Sequence, residues 1–218
     1  MRLACFVALA VLSLGVAGYA LGVYGLMPLG TLLHPDMRAT FQAHPIGIYA
    51  HVFASVIALA LGPLQFSSRL RASRTQLHRW CGRAYLGVGV SVGGLAGLYM
   101  SLHAFGGIAS RLGFGCLAIA WLFTGLRAFL AIRRRDVASH RRWMVRNFAL
   151  TFAAVTLRLY LPSSIALGAA FEIAYPVIAW LCWLPNVVIA ELLFNRTHGP
   201  SPQPTAAGGP AAAAELNR

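Results

Sequence analysis

Long apolar runs alternate with short polar segments along this chain, and the runs define its elements. Six of them are long enough, at roughly 17–25 residues, to cross a hydrocarbon layer of about 30 Å as helices. They fall at residues 3–27, 46–66, 84–100 (the charge-free middle of a segment from His78 to Phe105), 112–132, 143–162 and 172–194. The pattern predicts an all-α polytopic bundle of six transmembrane helices occupying residues 1–196. Spans two to five are expected to form a four-helix core over residues 44–165. Residues 197–218 are rich in Pro, Ala and Gly, have no periodic apolar face, and read as a disordered tail.

Small residues and prolines refine the picture. Gly89, Gly93 and Gly97 recur every fourth position in the third run and line one helix face. In lipid such a row lets a neighbouring backbone approach closely, which is how helices pack where no hydrophobic effect acts between them. Gly18 and Gly22 predict a similar contact face on the first run. That run exceeds the 7–15 apolar residues of a signal peptide and reads as a retained helix. Residues 28–44 read as a polar loop. Pro45 suits a helix start, Pro63 is expected to end span two, Pro162 to close span five, and Pro185 to interrupt span six.

Composition agrees with a membrane protein. Hydrophobic residues make up 58% of the chain and charged residues 11%, against about 25% charged in soluble domains. All 18 cations are arginine, for a formal net charge of +13. They gather in two loops, SSRLRASRTQLHRWCGR (67–83) and RRRDVASHRRW (133–143), while the opposite loops hold only Arg38 and Arg111. The cations therefore follow topology and do not point to nucleic acid. By the positive-inside rule the two basic loops and both termini face the cytoplasm of a bacterial inner membrane, with most arginines against anionic lipid headgroups. Cys5, Cys81, Cys116 and Cys182 have no metal-like or disulfide-like spacing.

Candidate chemistry rests on histidine and arginine. His78 and His140 start spans three and five, and His51 and His103 lie toward the other surface. Two imidazole pairs, one per leaflet, are what haem b ligation across a membrane would use. Against this, His78 and His103 are 25 residues apart, about 37 Å along a helix, so interfacial helix capping is the competing reading. Arg83, Arg127, Arg146 and Arg158 fall within spans, where a charge is costly and normally faces the protein interior with a partner. Arg83 and Arg146 would hold acidic cofactor substituents or snorkel to the surface. Arg127 and Arg158 are substrate-site candidates, with Glu172 or Asp36 expected as the partner of Arg158. Glu191 is expected near Arg196.

Two readings of function follow. One is a haem- or quinone-linked redox protein. The other is a transporter or anionic-lipid-binding protein, motivated by Pro63, Pro185 and an Arg127 expected to be buried. A partner subunit or a homo-oligomer fits either. No hydrolase triad or phosphate-binding loop is present.

The basic turns also echo each other. His78-Arg79-Trp80 with Arg83 parallels His140-Arg141-Arg142-Trp143 with Arg146, as in a parallel repeat. Together with LGPLQF (61–66), HRWCGRAYLG (78–87), HRRWMVRNFALTFAAVTLRLYLP (140–162) and His51, these phrases resemble the DUF2306 group of predicted bacterial membrane proteins over about residues 44–165. The resemblance implies a membrane fold and brings no activity, cofactor or substrate with it.

Overall fold

The computed structural model describes residues 3–192, with backbone alone at Leu3 and Asp36. The expected tail, Arg196 and His198 lie outside these residues. Within them the protein is helical, and six helices are long and apolar enough to cross a membrane: Ala4–Leu26, Pro45–Gln65, Thr75–Ser101, Gly107–Arg133, Val137–Ala166 and Phe171–Ala190. They are spans one to six below.

Several boundaries differ from the sequence reading. The loop after span one contains a helix, Pro35–Ala43, started by a proline at its first turn. The arginine-rich connection contains another, Ser68–Ser73, whose N-cap Ser67 Oγ accepts from the Leu70 N–H at 3.2 Å. Span three begins earlier than its apolar run, so His78 lies in its first turn. Span five likewise starts at Val137, capped by Asp136, whose Oδ1 accepts from the Ser139 N–H at 2.9 Å. Span two runs past Pro63 to Gln65, so the proline lies inside its last turn and the helix ends two residues after it.

Three spans are irregular inside. Span three carries a π-helical stretch, Tyr85–Val90, within its glycine-rich part, a feature often found at functional sites. Span five turns at Phe152. Span six breaks at Cys182–Trp183 and restarts as Leu184–Ala190 with Pro185 in its first turn. Asn186 secures that break. Its Nδ2 donates to Cys182 O at 2.9 Å and Thr156 Oγ1 at 3.2 Å, and reaches Ala149 O at 3.3 Å. Thr156 Oγ1 also donates to Cys182 O.

Glycine positions decide which helices touch. A Cβ on Gly89 would stand 2.9 Å from Ala58 Cβ and 3.0 Å from its backbone nitrogen, so spans two and three meet backbone to backbone there. Gly93 faces Trp121 and Ser55, and Gly97 faces His51. The first span behaves otherwise. Its expected glycine contact is not made among the described residues, where Gly18 and Gly22 have no neighbour within 4 Å of a Cβ. It packs instead through Ala17 and Ala20 against Ile48, Val52 and Val56.

A second cluster draws Ala58, Tyr85, Trp121, Ala128 and Phe148 from spans two to five. It encloses a polar network. Tyr85, fully buried, donates from its hydroxyl to Asn147 Oδ1 at 2.7 Å and lies 2.8 Å from Thr151 Oγ1. Asn147 Nδ2 donates to Trp121 O and Thr124 Oγ1, and Trp121 Nε1 donates to Thr151 Oγ1. In a medium with no water to substitute, closing every such bond inside the bundle is what makes a polar interior tolerable.

Candidate functional site

The helices enclose a cavity of about 1080 Å³ in the half of the bundle away from the arginine-rich loops. Its apolar walls come from Val52, Val56 and Leu59 of span two and Leu150, Ala153 and Leu157 of span five. Trp121 and Thr151 of the buried network reach its floor, and the Gly93–Gly97 face of span three forms one side.

Two ionisable side chains stand inside it at matching depth. His51 lies six residues from the start of span two, about 9 Å in, and Arg158 lies eight residues from the end of span five, about 12 Å in. They are close enough to interact electrostatically. His51 is seated by glycine: its Nδ1 is 2.8 Å from the Gly93 carbonyl, and a Cβ on Gly97 would fall 2.8 Å from the same nitrogen. A carbonyl can only accept, so Nδ1 carries the proton and Nε2 is left for another partner. Ser55, one turn on, has a buried hydroxyl with no hydrogen-bond partner.

Arg158 donates from Nη1 to Ala154 O at 2.9 Å and lies over the Tyr19 ring at 5.8 Å, with Tyr24 nearby. The expected ion pair with Glu172 is not formed, and the Asp36 side chain is outside the described residues. Among the described residues Arg158 therefore has no carboxylate partner. It keeps most of its five N–H donors for a ligand.

The other candidates are distributed elsewhere. His103 lines the same cavity, but at its rim, where it stacks on His44 (ring centroids 3.9 Å) beside Tyr99, whose hydroxyl is 2.8 Å from His44 Nδ1. At the opposite face His78 and His140 are near enough to interact electrostatically. His140 donates from Nδ1 to Ala128 O at 2.9 Å, which leaves its Nε2 open, while His78 Nδ1 is buried without a partner. No group of three or more His, Cys, Asp or Glu comes together among the described residues.

Arg146 is held by Glu191 through two parallel contacts, Nε to Oε1 and Nη2 to Oε2, the latter at 3.0 Å. Glu191 was expected near Arg196; its described partner is Arg146. Arg127 is exposed and shares the Trp143 ring with Arg146, at 4.8 and 4.5 Å. Arg83 is also exposed, 4.7 Å over Trp80, in a shallow recess with Thr75, Gln76 and Arg79. The structure thus brings together His51, His103 and Arg158, and separates them from His78, His140, Arg83, Arg127 and Arg146.

Sequence reasoning missed Ser55, Tyr19 and Tyr24 as cavity residues, and it missed the Tyr85–Asn147–Thr151 network. Asn147 and Thr151, four apart in an apolar run, were the available signal. No curated protein and no solved structure matches this chain. The family model described as a predicted membrane protein, DUF2306, matches residues 48–194, a region holding all of spans three to six and nearly all of span two; the chain belongs to that family.

Proposed function

We propose that this membrane protein binds an anionic molecule in the cavity, as a lipid-binding or transport protein does. The observation that carries this reading is Arg158, a guanidinium well inside the bundle without a carboxylate partner among the described residues. A charge at that depth is expensive and normally meets a counter-charge, and the site holding it is a large apolar chamber. The test compares palmitate with hexadecanol, equal in chain length and different in charge, on purified protein in neutral detergent. Wild type is expected to bind palmitate in preference, and Arg158→Gln to lose that preference. Equal affinity of wild type for both, or an unchanged preference in Arg158→Gln, rejects the reading.

A second reading, haem b or quinone binding, is favoured by one observation. His51 and His140 each tie Nδ1 to a main-chain carbonyl, which is how metal-ligating histidines are commonly oriented. Haemin titration is expected to give a Soret band that weakens in His51→Ala or His140→Ala. A flat titration rejects it. The cytoplasmic placement of the arginine-rich loops, and with it a bacterial inner-membrane location, is supported by the positive-inside distribution of Arg69, Arg71, Arg74 and Arg133 to Arg135.

A further inference from the structure

We propose that the occupant is a single-chain amphiphile with one acidic head, carboxylate or phosphate, held head-inward by Arg158 and Ser55 beside His51 and admitted sideways from the lipid between spans one and five. This rests on the anion-binding reading above and names its ligand class and route.

The head follows from the donors left open. A guanidinium fork matches the paired oxygens of a carboxylate or phosphate. The Ser55 hydroxyl is buried and has no hydrogen-bond partner among the described residues. His51, with its proton on Nδ1, can only accept at Nε2 and so serves a head that carries an acidic hydrogen. Arg158 is the one arginine lining the cavity among the described residues, so a single acidic group balances it. The chain follows from the walls, which are mainly apolar, both aliphatic (Val52, Val56, Leu59, Leu157) and aromatic (Phe114, Trp121). It also follows from the size, since about 1080 Å³ slightly exceeds the roughly 300–1,000 Å³ of a small-ligand site and leaves room for a long chain.

The route follows from the rim. Tyr19 and Leu159 line the cavity and yet are 50% and 48% exposed. Each lies seven residues from its span's end near that face, about 10 Å along the helix, and its side chain faces outward from a membrane-spanning segment. Gly15, one turn below Tyr19, also lines the cavity and leaves open space where a Cβ would be. The opening is therefore a slot facing the bilayer core, and an apolar chain passes it without crossing water.

The experiment uses the full chain in neutral detergent and four probes: palmitate, dodecyl phosphate, acetate and inorganic phosphate, followed by calorimetric titration. Both long-chain probes are expected to bind at least about tenfold more tightly than their short counterparts, and the tighter of the two identifies the head. Gly15→Phe and Leu159→Trp, which narrow the slot, are expected to slow long-chain probe uptake in stopped-flow by about tenfold while leaving the equilibrium affinity and the melting temperature unchanged; wild-type uptake rates in both variants overturn the lateral route. A palmitate carrying a photoreactive diazirine at its chain end is expected to label wild type at 15–19 or 159–165, a readout that needs no variant to fold. Arg158→Gln binding both long probes as wild type does overturns this proposal together with the anion-binding reading. Loss of binding in Arg158→Gln, combined with short probes binding as well as long ones or with diazirine labelling confined to other segments, overturns the single-chain, lateral route alone.

Discussion

A guanidinium within a membrane-spanning helix, about 12 Å along it from the end, works against folding until something neutralises it, and Arg158 is in that position. Its contacts are a carbonyl at Ala154 and the face of Tyr19, neither of which cancels a full charge. Arg158→Gln is therefore expected to melt at or above the wild-type temperature in ligand-free detergent while losing its ligand, as happens when a site trades stability for binding. A drop in melting temperature would mean that the arginine supports the fold. Asn147 is the opposite case. Every polar atom of its amide is matched, to Tyr85, Trp121 and Thr124. Asn147→Leu would remove one hydrogen bond from each of those partners, at about 0.5–1.5 kcal/mol apiece, while Tyr85 keeps Thr151 and Thr124 keeps the Ala120 carbonyl. Thermal unfolding is expected to show a large loss for this variant and a smaller one for Tyr85→Phe, which removes a single hydroxyl.

At the scale of the helix, the same residue type carries opposite meanings. Gly89 has Ala58 backbone against it and Gly18 has open space. Gly89→Leu is expected to cost about 1–3 kcal/mol as overpacking, and Gly18→Leu to leave the monomer's melting unchanged. Glycine spacing alone did not separate these two, because a four-residue repeat defines a face without saying what lies across it. Helix existence was legible throughout, since 20 apolar residues have few alternatives in a bilayer. Helix starts were less so. Span three begins at Thr75 and span five at Val137, several residues into what read as basic loop; Asp136 caps the start of span five, whereas span three starts after Arg74 with no side-chain cap. The His51–Arg158 pairing was illegible for a related reason. Each residue's depth could be counted along its own helix, but which helices stand side by side depends on packing that periodicity does not encode.

For the whole molecule, the two faces differ sharply in charge, and sidedness can be measured directly. With native cysteines replaced, Thr31→Cys is expected to react with an impermeant maleimide on intact cells and Ser73→Cys only after lysis; the reverse result would invert the orientation. The mouth of the cavity lies where span one meets span five, so the freedom of those two helices governs exchange. Here the knot around Asn186 matters. By gripping the Cys182 carbonyl together with Thr156 and Ala149, one amide fastens the bent sixth helix to the fifth. The pair forms a yoke, so a pull on either is handed to the other. Span one, seated on alanines, is then the leaf of the door, and spans five and six are its frame.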